Sequence, residues 1–530
     1  MNSSHAPASR MTRSGRSRLT RSHHLLKAVL LTALMALLTS PAPWPRVALP
    51  HASATLQISM TPGLYPDFDP DISDYVVPYD PSAFVQVSVD APRNTKVSVD
   101  GQPFRKLAFT TSVNVTPGQS FTLVVNSPGK SATYHVRCLP TDFPSWTTER
   151  YGTPPAEFYV VAPNQSTLPG SPRRHYVILV DNYGVPIWWH SSLGSLFDAK
   201  VLPNGHIAWI SSPKAEEYLL DGTLVRTLTT PTPGGIDLHE LQLLSNGNYI
   251  YIVYEPRGPV DLSPYGGSAT ATVFDSVIEE VTPAGKIVWS WSTMDHIPVS
   301  ETGPQWRQRY FVDPTIANPP RPADPYHMNS IEEDGDGFVV SLRHLDTVLR
   351  IDKATGNITW KLSGATRPES LTFVGDPYGN FGGQHDARIL PDGTLTVHDN
   401  GTFQDRPPRA VRYSIDPIAK TATLIEQVTD PDAPSSACCG SARKLPDGDW
   451  VMEWGFNPVV TALTPAGERL FRITFPGSYF SYRAAPVLYG TLSREALRAG
   501  MDAQYPRTLA GQFPRGIRGV SRSRGIPTLR

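Results

Sequence analysis

From Thr55 to about Pro140, apolar and polar residues alternate in short runs ("FVQVSVDA", "NTKVSVDG", "FTLVVNS", "ATYHVRC") separated by Gly, Pro, Asn and Asp. A period of two buries one face of a strand and wets the other, so this segment predicts a small β-sandwich over 55–140. Beyond a Pro-rich linker near 140 to 165 the pattern becomes a repeat. Five turns, Asn204-Gly205, Asn246-Gly247, Asp334-Gly335, Asp392-Gly393 and Asp447-Gly448, each lie between two strand-like runs, as in "FDAKVLPNGHIAWI" and "GSARKLPDGDWVMEW". Such dipeptides accept the positive φ of a tight hairpin. Most are followed by a second hairpin, such as "VIEEVTPAGKIVWSW" or "VLRIDKATGNITWKL". Four strands in roughly 40 to 50 residues is the period of a propeller blade. Adding "RHYVILVDNYGVPIWWH" at 174 to 190, with its missing strands supplied by residues after 476, the chain predicts an all-β fold: a six-bladed β-propeller over 145–490 preceded by the sandwich. Residues 294 to 323 form one long insertion, and the Arg-rich tail 491–530 is expected to be disordered.

Composition fits this picture. The 530 residues are 40% hydrophobic with a formal net charge of -1, enough for more than one domain and without the basic balance of a nucleic-acid binder. The first 54 residues stand apart: Arg10, Arg13, Arg16, Arg18, Arg21 and Lys27 precede the apolar run Ala28 to Leu38, and Ala52-Ser53-Ala54 offers a small-residue cleavage site. This is the layout of a signal peptide over 1–54 and predicts a secreted, cell-surface or periplasmic protein, held at a membrane only where the segment stays uncleaved. Three cysteines, Cys138, Cys438 and Cys439, lack metal-ligand spacing. They suit one bridge plus one buried thiol, with Cys438 paired either to Cys439 or, like Cys439, to Cys138.

Eight residues before each turn glycine stand Phe197, His239, His327, His385 and Gly440. Because the first strand of each blade lines the central channel, these positions share one height, and the three histidines are expected to converge. A lone histidine on such a strand is ordinarily a core residue bonded to a carbonyl. Three costly polar groups at one repeat position point instead to chemistry done there. Arg343, on the next strand of the His327 blade, bears on which chemistry. Three imidazoles alone would suit zinc or copper, in a hydrolase or an oxidoreductase. A guanidinium repels a cation and holds a tetrahedral oxyanion, so Arg343 favours an anion site with no metal or cofactor and a histidine nucleophile. A non-catalytic binding propeller would leave the histidine register unexplained.

The segments "DLHELQLLSNGNYI", "DPYHMNSIEEDGDGFVVSLRHLDTVLRIDKATGNITWKLSG", "QHDARILPDGTLTVHDNG" and "GSARKLPDGDWVMEWG" resemble the bacterial arylsulfate sulfotransferase family. The resemblance covers most of 175 to 475. It implies an exported propeller that moves a sulfuryl group from an aryl sulfate to a phenolic acceptor without a nucleotide donor. His385 would be the nucleophile that becomes transiently sulfurylated, flanked by Gln384 and Asp386, which would fix its tautomer or surroundings. His239, His327, Asn329 and Arg343 would bind sulfuryl oxygens or move protons, and Ser441 and Trp454 would touch substrate. Tyr479 and Tyr482 join Trp454 as aromatic residues of the expected mouth. Met328 departs from the hydrogen-bonding residue expected between His327 and Asn329. The opening "MTPGLYPDFDPDISDYVVPY" separately resembles the cadherin-like sandwich domains of secreted bacterial proteins.

Overall fold

The computed structural model describes residues 55–81, 84–165, 174–312, 321–477 and 479–507. The signal segment expected over 1–54 and the last part of the basic tail, 508–530, lie outside the described residues. Alternation in the first segment becomes two facing sheets. Gln57–Thr61, Val85–Asp90 and Phe109–Val113 form one; Asp74–Pro78, Lys130–Leu139, Ser120–Ser127, Lys96–Val99 and Arg105–Lys106, in that order, form the other. Ile58, Val87, Leu123 and Val136, one from each of four strands, meet in a core of their own, as the period of two requires.

The remaining strands form successive antiparallel units built on four strands, two of which are joined into a nine-stranded sheet by Ser370–Val374, which pairs in parallel with the outer strand of each. Their innermost strands are Phe197–Val201 (β1), Ile236–Leu243 (β2), Met328–Asp334 (β3), His385–Ile389 (β4), Ser441–Lys444 (β5) and Tyr479–Val487 (β6). Each contacts the next around the ring, and β6 touches both β5 and β1, which closes it. The first unit is completed from the far end of the chain, since β6 pairs with Phe158–Gln165. All five Asn/Asp-Gly turns hold their glycine at positive φ: Gly205, Gly247, Gly335, Gly393 and Gly448. Second strands such as Gly337–Leu342 are buried along their whole length because neighbouring sheets cover both faces, and this explains their unbroken apolar runs.

Two expectations need correction. The Pro-rich stretch 140 to 165 is more than a linker: it carries Phe158–Gln165 and Thr147–Arg150, the latter paired to the outer strand Arg469–Thr474. Its prolines hid both strands. The tail is ordered at its start. Arg494–Gln504 is a helix capped by the Ser493 side chain on the Ala496 N–H, and it buries Leu497 and Met501 in the cluster that contains Trp188 and Trp189. Its basic residues bind acids instead of repelling one another: Arg494 reaches Asp74 and Asp181, Arg498 reaches Asp74, and Asp502 accepts from Arg137. The helix thereby joins the sandwich to the propeller. Among the described residues no helix is long and apolar enough to cross a membrane.

Candidate active site

The inner strands are bulged where the register places the histidines. Pairing shifts between Phe197 and Lys200, Ile236 and Leu241, Met328 and Ser330, and His385 and Arg388, and Asp198, His327 and Asp386 take left-handed backbone angles. A bulge re-aims side chains that strict alternation would send to either face of a blade. The outcome is convergence. The His239 and His327 rings lie 4.8 Å apart, His327 stacks on His344 at 4.4 Å with the Arg343 guanidinium 3.0 Å from His344 Nε2, and the Arg343 charge acts on His385.

His385 is almost completely buried and both its nitrogens are assigned. Nδ1 lies 2.8 Å from the Asn400 side-chain oxygen and 3.0 Å from the Gly383 carbonyl. Both are acceptors, because the Asn400 amide nitrogen donates elsewhere, to Ser436 and to the Cys439 carbonyl. The Nδ1 atom therefore carries the proton. Nε2 keeps its lone pair, which accepts the Cys439 main-chain N–H at 3.1 Å. Burial first, then the Arg343 charge, holds this imidazole well below the ordinary histidine range, so it is neutral at pH 7.

His239 and His327 are arranged differently. Asp237 takes the His239 Nδ1, and Asp324 takes the His327 Nδ1 at 2.5 Å; among the described residues neither Nε2 has a hydrogen-bond partner. Tyr254 packs against both rings and donates its hydroxyl to the Met328 carbonyl. Arg343 is buried, stacks on Trp306 at 4.3 Å, and donates to the Ala437 carbonyl and to His344 Nε2. Its Nε has no partner. Trp306 and Tyr310 come from the 294–323 insertion and stack on His344, so a segment with no evident signal in the sequence walls the site.

Of the residues expected at the site, His239, His327, His385 and Arg343 are brought together. Asn329 is fully buried and donates its side-chain N–H to the Gln384 carbonyl at 2.8 Å, so it holds the main chain just before His385. Ser441 exchanges hydrogen bonds with the Ala484 backbone, and the Trp454 indole donates to Thr461. Both spend their polar groups inside the protein. Tyr482 is buried beside His239 with its hydroxyl unpartnered, not at an open mouth. Gln384 and Asp386 do not set the His385 tautomer. Gln384 donates to Ser341, Leu342 and Thr347 on the preceding unit, and Asp386 accepts from Arg388, Arg443 and the Ala442 N–H. Asn400 has that role. It stands in "VHDNG" at the end of the adjacent strand, where cross-strand pairing of His385 with His398 could have suggested it.

Among the described residues one cluster has the composition of a metal site: Asp324, His327 and His344. It does not fit one. His344 Nδ1 donates to the Asp324 carbonyl at 2.7 Å, and its Nε2 accepts from the Arg343 guanidinium at 3.0 Å, so neither nitrogen is available and a fixed cation sits where the ion would go.

Next to the histidines the inner strands carry a layer of ion pairs, which borders a cavity lined by Asp198, Lys200, Arg443 and Arg483. Asp198, Glu240, Glu332 and Asp386 meet Lys200, Arg388, Arg443 and Arg483, with Glu240 bound by Lys200, Arg388 and Arg483 together. Four acids balance four bases. This layer fixes the strand on which His385 is the first residue.

The buried imidazoles make stability depend on pH. Burial holds His327, His344, His385 and His398 below the ordinary histidine value, His398 at about 4. The unfolded chain takes up these protons near pH 6.5 while the folded protein does not. Stability is therefore full above that value and lost as pH falls through it toward the depressed folded values. Calorimetric unfolding should show a midpoint falling steadily from about pH 6.5 to 5, with up to about 1.4 kcal/mol lost per pH unit for each imidazole. A midpoint unchanged over that range would contradict the burial of neutral histidines.

Fold and site together define a β-propeller protein with an axial site of three imidazoles and one arginine. Residues 200–476 match the family model for arylsulfotransferase (ASST). That is more than half of the chain, and the chain belongs to the arylsulfotransferase family. At family level this supports aryl sulfotransferase activity on small-molecule substrates. Comparison with curated proteins finds no match. Solved structures with some similarity include a protein of unknown function from Bacteroides caccae (12% identity, 63% of this chain and 99% of that one, TM-score 0.39). Others are virginiamycin B lyase from Staphylococcus aureus (11%, 62% and 88%, TM-score 0.32) and the Cps50 (Swd1) β-propeller domain of Myceliophteria thermophila (14%, 62% and 88%, TM-score 0.33). Scores of this size carry no argument, and the architecture stands on the strand topology above.

Proposed function

We propose that the protein transfers a sulfuryl group from an aryl sulfate to a phenolic acceptor by double displacement through His385. The observation that carries this reading is a neutral, buried imidazole with its Nδ1 proton fixed by Asn400 and its Nε2 lone pair directed away from it, next to an arginine with a buried N–H to spare. In the first half, Nε2 attacks sulfur, the sulfur–oxygen bond to the aryl group breaks, and the phenolate leaves with the electron pair. Arg343 stabilises charge on the sulfuryl oxygens. His239 and His327, each with Nδ1 on a carboxylate, offer a lone pair at Nε2 and no proton, so the phenolate takes its proton from solvent after release. In the second half, Nε2 of one of these two imidazoles takes the proton of the incoming phenol, later releasing it to solvent, while the phenol oxygen attacks sulfur and the bond between sulfur and His385 Nε2 breaks. The neutral nucleophile returns. Splitting the transfer lets one aryl pocket serve donor and acceptor in turn, so the kinetics should be ping-pong. The exported layout of the N-terminal segment and the disulfide between Cys438 and Cys439 support an oxidising compartment outside the cytoplasm.

The test is direct. Incubated with an aryl sulfate and no acceptor, the protein should gain one sulfuryl group by intact mass, and peptide mapping should place it on His385. An adduct on His239 or His327 would overturn the assignment.

A further inference from the structure

The second half of the site is a segment of main chain. Ser435–Gly440 lies against His385, and its backbone engages the groups that would handle the sulfuryl group: the Cys439 N–H bonds His385 Nε2, and the Ala437 carbonyl accepts from Arg343 at 2.6 Å. The carbonyl of Cys439 accepts in turn from Asn400 and His398. The segment is closed by the Cys438–Cys439 disulfide, whose eight-membered ring restricts the peptide between the two residues. Cys439 has a φ of +67° and Gly440 of +101°, a reversal that a non-glycine residue adopts at a cost unless its surroundings hold it. On the other side Gly455 packs so closely that a Cβ there would lie 1.9 Å from the Cys438 carbonyl oxygen. The bridge and its neighbours thus point one N–H at one atom.

We propose that the Cys438–Cys439 bridge is a positioning element for His385. In the resting site it keeps the Cys439 N–H on the lone pair of Nε2, and as sulfur closes on Nε2 the same N–H passes to a sulfuryl oxygen, one bond further out. The inference rests on the nucleophile assigned to His385 above. A donor held beside the atom that gains a bond stabilises charge developing on the transferred group without reorganising at the moment of reaction. It also lowers the basicity of Nε2 by sharing its lone pair, so losing the donor should raise the imidazole pKa.

Reduction provides the experiment. Cys438 and Cys439 are partly exposed, whereas Cys138 is a buried free thiol pushed up to about 12. A dithiol reductant gives two electrons and two protons to the bridge, breaks its sulfur–sulfur bond to form two thiols, and closes to its own cyclic disulfide. Thiol titration of denatured samples should then rise from one to three per chain. Oxidised protein, reduced protein freed of reductant, and a Cys438→Ser/Cys439→Ser variant are compared for turnover, pH profile and circular dichroism. The reduced protein should keep its fold and lose at least about tenfold in kcat, within the range expected for one lost transition-state donor, with KM changed much less. The acid limb of kcat/KM should move to higher pH, and reoxidation should restore both. The double variant should match the reduced protein and ignore the dithiol. Turnover and pH profile unchanged in folded, reduced protein would overturn the proposal. So would a loss that tracks unfolding in both preparations, which would make the bridge a stabilising element only. Absence of a His385 adduct in oxidised wild type fails earlier and differently: it removes the nucleophile, and the bridge's role with it.

Discussion

Replacing His385 with Asn is expected to abolish sulfuryl transfer, with a loss of about a thousandfold or more in turnover and no covalent adduct. Asn is close to the imidazole in size up to Nδ1 and leaves a hydrogen-bonding group within reach of Asn400, so the surroundings should persist. What it removes is the Nε2 lone pair. His385 is buried and its Nε2 accepts from the Cys439 N–H, so no other nucleophile stands in its place. His239→Asn and His327→Asn should behave differently. Each removes one of two imidazoles with an open Nε2, so transfer should slow while the adduct on His385 still forms. Single-turnover kinetics with an aryl sulfate that releases a coloured phenol, followed by intact mass, separates the cases. His385→Asn with near wild-type turnover would mean that the site transfers directly between bound substrates.

The blades and the channel were legible because both depend on short-range chemistry repeated along the chain. Asn/Asp-Gly turns require positive φ, and the five turn glycines have it; counting back from them located His239, His327 and His385. Arg343 was legible for a related reason: it ends the strand paired with the His327 strand, and its N–H meets the His327 carbonyl at 3.0 Å. The partners of these residues were not legible. Asn400 and the Cys439 N–H are 15 and 54 residues from His385, and nothing local marks a main-chain donor. Trp306 lies in an insertion outside the repeat, so no register could place it on Arg343. Ser441 and Trp454 have partners that the sequence did not show either. Proximity to the axis suggested substrate contact, while bulges and turns direct their polar groups into the backbone and to Thr461. The helix Arg494–Gln504 was missed because seven arginines between 494 and 524 among small residues read as an uncompensated charge run, and its acids, Asp74 and Asp181, stand far away in sequence.

The ion layer next to the site should govern folding more than any single apolar side chain. Glu240 is wholly buried. One oxygen accepts from Lys200 at 2.8 Å and the other from Arg388 at 2.6 Å and Arg483 at 3.0 Å. Removing it in Glu240→Ala leaves three cations with one shared anion fewer, in a place water cannot easily reach. Breaking a buried pair costs about 3–5 kcal/mol because the surviving charge is uncompensated, and here three survive. Against a total stability of about 5–15 kcal/mol for a typical domain, the variant should unfold at much lower denaturant or fail to accumulate. Glu240→Gln keeps the volume and one acceptor oxygen and should lose less, which separates charge from packing. The effect should also reach His385, since Arg388 and Arg483 would turn more strongly to Asp386, the residue next to it, which already accepts from Arg388 at 2.8 Å. Folded Glu240→Gln protein should therefore show reduced turnover with its aryl sulfate KM little changed. Denaturant unfolding of the two variants decides the matter: if Glu240→Ala unfolds within about 1 kcal/mol of wild type, the layer is held by packing, and the balance of four acids and four bases is not what positions the nucleophile's strand.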